Sequence, residues 1–150
     1  MDVAAALWGG IIGAIVAATV YAGFLGLRLT RFDVIRFEGG MLLQERSNVL
    51  YLYGAILQVV GGALLALAYR AILQQVDAAT YVFWGALLGL AQGVLTLLLL
   101  PLLGALNRNV RAGEEPPPGL AGRAYGRLTP VAVLVASIVF GTWVGIVLLP

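Results

Sequence analysis

The sequence contains no cysteine, no histidine and no lysine, and charged residues make up only 11% of its 150 positions. Without cysteine there is no disulfide, no thiolate metal site and no redox-active thiol. Without histidine, imidazole ligation of haem, the usual zinc and non-haem iron sites and histidine acid–base catalysis are excluded. Membrane phosphatidyl-transfer and phosphatase chemistries need carboxylate clusters or histidine, and the seven acids here are scattered. Neither catalytic residues, nor a metal site, nor a cofactor is expected, so the chain is read as non-catalytic. All nine cationic residues are arginine, which points to a GC-rich bacterial genome rather than to a chemistry. A net charge of +2 is too small to imply a polyanionic partner such as nucleic acid.

What is present in excess is apolar surface. Hydrophobic residues make up 61% of the chain and the mean hydropathy is +0.99, against about 45–50% apolar in a typical soluble domain. A water-soluble core of this size cannot absorb so much, and the natural solvent is lipid. Four uncharged stretches, 3–27, 49–69, 78–106 and 128–150, are each long enough to cross a hydrocarbon core, which takes roughly 20 helical residues. Unbroken apolar runs without alternation specify helices rather than barrel strands. The predicted fold is an all-α bundle of four transmembrane helices in a single domain. Ser47 or Asn48, Asp77 or Thr80, and Thr129 before Pro130 are the expected helix starts. Pro101 is expected to bend the last turns of the third span, and the second span has no breaker before Val76.

The arginines orient the bundle. Arg28, Arg31, Arg36 and Arg46 fall in loop 28–48, and Arg108, Arg111, Arg123 and Arg127 in loop 107–127; the opposite side has only Arg70. Eight against one predicts a bacterial inner-membrane protein with both long loops cytoplasmic and both termini outside. Trp8, Trp84 and Trp143 fall near the outer ends of their spans, where indole rings favour the interface.

Small residues recur at every fourth position in all four spans, marked by Gly9 and Gly13, Gly54 and Gly62, Gly85, Gly89 and Gly93, and Gly141 and Gly145. In lipid, close approach of such faces drives helix association. "WGGIIG" (Trp8 to Gly13) and "WGALLG" (Trp84 to Gly89) match in position, as do Gln58 and Gly62 with Ser137 and Gly141 at a register shifted by three. Two parallel-repeated hairpins would produce this match, as would coincidence in spans dominated by Gly, Ala, Leu and Ile. Gln58 and Gln92 both lie near mid-membrane, counting about 1.5 Å per residue from the cytoplasmic ends of their spans. Both are expected to point inward and serve each other, as polar glue or as a solute contact.

The remaining candidate is the segment around Arg31, Phe32, Arg36 and Phe37. Its apolar positions fit neither a helical nor a strand period, and Gly39-Gly40 is expected to break the chain. An interfacial anchor follows, with aromatics in the headgroup layer, arginines at the phosphates, and a headgroup or partner surface as the functional form. The second loop, rich in proline and glycine, reads as an extended connector with Glu114 and Glu115 solvated. The stretch "YVFWGALLGLAQGVLTLLLLPLLGALN", the proline-rich loop and the glycine-bearing last span resemble uncharacterised bacterial four-span integral membrane proteins. Members often carry a helix-end histidine that this chain lacks, and the resemblance implies a fold but no activity.

Three functions remain. The first is a scaffold or accessory subunit whose glycine-striped faces pack against a second copy or a larger membrane complex. The second is a small oligomeric transporter or channel subunit for a neutral or hydrophobic solute, with Gln58 and Gln92 lining the path. The third is a subunit holding pigment or quinone through backbone and aromatic contacts. A tight dry bundle favours the first, a cavity reaching the glutamines the second.

Overall fold

A computed structural model describes residues 2–44 and 47–150. Arg46, one of the orienting arginines, lies outside them. The described chain is helical without strands. Its helices are α1 (Val3–Gly26), α2 (Val34–Leu42), α3 (Val49–Leu73), α4 (Tyr81–Leu106), α5 (Arg108–Arg111) and α6 (Thr129–Val147), with 3-10 turns at Ala78–Thr80 and Leu120–Tyr125. Four helices are long and apolar enough to cross a membrane: α1, α3, α4 with its preceding turn, and α6. The protein is a membrane protein built as a four-helix bundle.

Local chemistry sets the ends. The Asp2 carboxylate accepts from Ala4 N at 3.0 Å to start α1, and the Asp77 carboxylate accepts from Ala79 N at 3.1 Å to start the turn before α4. Ser47 Oγ accepts from Val49 N at 3.3 Å, whereas Asn48 makes no side-chain cap. The last helix begins at Thr129 with Pro130 in its first turn, and Leu128 occupies the N-cap position. Thr129 is not the cap because its hydroxyl is used elsewhere, 2.6 Å from that of Thr30. α3 extends past residue 69 to Leu73, and α4 runs through Pro101 to Leu106.

Round the bundle the order is α3, α1, α6, α4. α1 packs along both α3 and α6, and α6 packs along α4. α3 and α4 are joined by a short turn yet barely touch. Between α4 and α6 the backbones meet directly. A Cβ added at Gly85, Gly89, Gly141 or Gly145 would strike backbone atoms of the facing helix, as it would at Gly10 and Gly62 between α1 and α3. Such closeness brings Cα–H groups against carbonyl oxygens and replaces the hydrophobic drive that lipid withholds. Gly9 and Gly13 instead face the Val147, Phe140 and Trp143 side chains of α6, and Gly93 faces Leu134 and Ser137. The aligned glycines of the two hairpins thus sit in inequivalent contacts: both stripes converge on α6. The seams between hairpins differ too, closed at α1–α6 and open at α3–α4.

The loop end is tied down. Thr30 Oγ1 accepts from Phe32 N at 3.0 Å, Arg31 N donates to Tyr125 O at 2.7 Å, and the Tyr125 hydroxyl donates to Pro116 O at 2.8 Å. Asn107, fully buried, donates from Nδ2 to Phe37 O at 2.7 Å and accepts from Asn109 N and Val110 N to cap α5. Loop 107–127 is therefore a packed lid rather than an extended connector. Its proline-rich part is held because Pro118 is buried against Gly104 of α4. Trp8 and Trp84 are exposed, whereas the Trp143 ring turns inward beside Gly13 and its Nε1 is enclosed without a hydrogen-bond partner.

Candidate functional site

The gap between α3 and α4 leads into a cavity of about 570 Å³ that touches all four long helices and α2. Small side chains make the room: Ala14 and Ala17 on α1, Gly61 and Gly62 on α3, Ala136 and Ser137 on α6. Gly61, Leu64 and Ala68, on the α3 side of the opening, are exposed on the outer surface of the bundle. In a membrane that surface meets lipid, so the cavity has a lateral mouth.

Gln58 and Gln92 both line the cavity but do not serve each other in the way the sequence led us to expect. The Tyr69 hydroxyl donates to Gln92 Oε1 at 2.6 Å. Gln58 faces an acid. With its amide turned so that nitrogen meets the carboxylate, Nε2 donates to both oxygens of Glu38 at 2.7 and 2.9 Å. In the reverse orientation Nε2 reaches Ala14 O at 3.4 Å and the amide oxygen faces Glu38, an arrangement that suits a protonated carboxyl.

Glu38 is the residue the sequence reading missed. No charged residue lies within the apolar core of a span, but α2 folds back against α3 and lowers one into the bundle. The close approach depends on glycine: a Cβ at Gly54 would strike the Ile35 carbonyl, one at Gly39 the Leu50 carbonyl, and one at Gly40 the Asn107 amide. Gly39 and Gly40 lie inside α2 and do not break it, because the backbone of α3 and the Asn107 side chain occupy the space a side chain would need. Burial pushes the Glu38 carboxyl up to about 8, with no cation among the described residues offsetting it. A signal was present. Val34, Phe37, Glu38 and Met41 follow the i, i+3, i+4, i+7 pattern of one helical face, and all four line the cavity.

The candidate headgroup residues divide. Phe32 and Phe37 do not reach a headgroup layer; each is 3% exposed. Phe32 stacks on Tyr125 at 5.3 Å, meets Phe37 at 5.4 Å and sits edge-on to Tyr21 at 6.0 Å. Aromatic clustering inside the lid outweighs immersion at the interface because the rings lose all contact with water there. Arg31 donates from Nη2 to Ala124 O at 3.2 Å, and Arg36 pairs through Nε with Glu115 at 2.5 Å. Glu115 is thus a partner in the lid rather than a solvated charge, and its hydrogen bond pushes the Arg36 guanidinium up. These two arginines line a second cavity of about 410 Å³ together with Asp33, Tyr51 and Glu115. Phe32 and Phe37 line both cavities and form the wall between them.

Comparison with protein-family models, with curated proteins and with solved structures finds no match. No group of three or more metal-binding side chains exists among the described residues.

Proposed function

We propose that this chain is a non-catalytic protein of the bacterial inner membrane that admits a small, largely apolar solute from the bilayer into the bundle, as a transporter or channel subunit. The observation that carries the reading is the cavity of about 570 Å³ that reaches Gln58 and Gln92 and opens between α3 and α4. That volume lies in the range of sites for drug-sized ligands, and apolar walls with a few convergent polar groups are their usual composition. The scaffold reading rested on glycine stripes free to meet a partner. Gly85, Gly89, Gly141 and Gly145 are instead occupied inside the bundle, and the outer face of α4 carries large side chains such as Leu95, Leu98 and Leu102.

The test is binding of a neutral apolar fluorophore, N-phenyl-1-naphthylamine, to the purified chain in mild detergent. Gly61→Trp places an indole at the mouth, where an added Cβ meets nothing within 4 Å, and is expected to block saturable binding without unfolding the bundle. Saturable binding that is indifferent to Gly61→Trp would overturn the reading.

A further inference from the structure

We propose that the cavity receives a lipophilic monocation, its charge held by the Glu38 carboxylate and its apolar body entering from the bilayer between α3 and α4. This rests on the cavity reading and adds the charge of the solute. A carboxylate in an apolar enclosure is stable only when paired, and among the described residues the groups that face Glu38 offer no positive charge. From α1 comes the Tyr21 hydroxyl and from α3 the Gln58 amide; the polar side chains that α4 and α6 add to the cavity wall are Gln92, Thr96 and Ser137, none of them charged. On its own helix, Arg36 is engaged by Glu115, on the far side of the Phe32–Phe37 wall.

The walls suit a cation as well as the acid does. The rings of Tyr21, Phe32, Phe37 and Phe140 line the same space, and aromatic faces attract a desolvated cation. Below pH 8 the acid is protonated, so entry of the cation releases that proton: the carboxyl loses H⁺, the carboxylate takes the charge of the ligand, and the cavity stays neutral. Gln58 follows the exchange by presenting its nitrogen to the ionised form and its oxygen to the protonated one.

The experiment compares tetraphenylphosphonium with neutral triphenylphosphine oxide, titrated into the full chain in mild detergent by calorimetry. Tetraphenylphosphonium affinity is expected to rise about tenfold from pH 7 to pH 9, with proton release at the lower pH, while the oxide is unaffected. Glu38→Gln is expected to lose more than about tenfold in tetraphenylphosphonium affinity at pH 9, one tenfold step being about 1.4 kcal/mol, and to keep the oxide. Retained oxide binding also shows the variant folded; should it not fold, the wild-type pH profile decides alone. A pH-independent phosphonium affinity, or one unchanged in Glu38→Gln, overturns the charge proposal while oxide binding upholds the cavity. Failure of the wild type to bind either compound overturns both.

Discussion

Glu38 and Gln58 meet inside the bundle at 2.7 and 2.9 Å, an acid from the lid helix against an amide from the second span. Burial of the Glu38 carboxyl beside this contact makes stability depend on pH. The folded chain holds the Glu38 proton up to about pH 8, whereas the unfolded chain releases it near the ordinary 4.5. Between those values the folded state binds more protons, so stability falls as pH rises through that window and levels off above 8. Glu38→Gln keeps a neutral hydrogen-bonding group and removes the slope. At pH 9 it is expected to be more stable than wild type by on the order of 3 kcal/mol, the full shift being reduced by solvent reaching the cavity. Thermal unfolding in detergent from pH 5 to 9 reads this, and parallel curves for the two proteins would contradict it.

Gly141→Ala is expected to destabilise the bundle by about 1–3 kcal/mol, the usual cost of overpacking. Its Cβ would meet the Gly85 carbonyl and lie 2.8 Å from Gly89 N, and backbone cannot move aside as a side chain can. Gly23→Ala is the control. Nothing lies within 4 Å of its Cβ, so the change in helix propensity dominates and the variant should equal or exceed wild type by up to about 1 kcal/mol. Equal losses at both positions in denaturant unfolding would deny the α4–α6 contact its role.

Asn107→Ala removes two functions of one buried side chain, the donor to Phe37 O and the cap on α5. A lost buried hydrogen bond costs about 0.5–1.5 kcal/mol and a lost cap about 1 kcal/mol, so a total of about 2 kcal/mol is expected. Since Asn107 joins the lid to α2, the loss should also expose Glu38 to water and lower its pKa, which an infrared titration of the carboxyl band can follow. Unchanged stability and an unchanged band would show that the lid does not hold α2.

The Arg36–Glu115 pair contributes less than its geometry invites. The Arg36 side chain is 37% exposed and its partner 13%, so water and salt screen the attraction. Glu115→Gln is expected to cost about 0.5–1 kcal/mol, with the difference from wild type shrinking at high salt. Unfolding midpoints at 50 mM and 1 M sodium chloride measure it, and a salt-independent loss would mean that packing rather than charge is at work.

The spans were legible because lipid imposes a one-dimensional rule, a run of about 20 apolar residues, that needs no tertiary information. The observed Val3–Gly26 and Val49–Leu73 depart from the expected limits by one residue and by four residues. The site was legible only in part. Gln58 and Gln92 stood out as amides in apolar runs and do line the cavity, but their partners, Glu38 and Tyr69, come from chain segments that spacing cannot bring together. Gly39-Gly40 carried an ambiguous signal, since a glycine pair suits a break and a close approach equally, and only the presence of Leu50 and Asn107 decides. Phe32 and Phe37 read as interfacial because the segment around them straddles the start of α2 at Val34, so no single period runs through it.

The absence of cysteine makes the orientation directly testable, since single-cysteine variants carry no background thiol. Gln75, after α3, and Ala112, after α5, are both exposed and lie at opposite ends of the bundle. Neither is charged, so neither change alters the arginine bias that orients the chain. In intact bacterial cells a membrane-impermeant maleimide is expected to label Gln75→Cys at once and Ala112→Cys only after permeabilisation. That result puts the arginine-bearing lid, the Arg36–Glu115 pair and the second cavity on the cytoplasmic side. Labelling in the reverse order would invert the orientation while leaving the fold intact, whereas labelling of both positions from outside would be incompatible with a bundle whose helices each cross the bilayer.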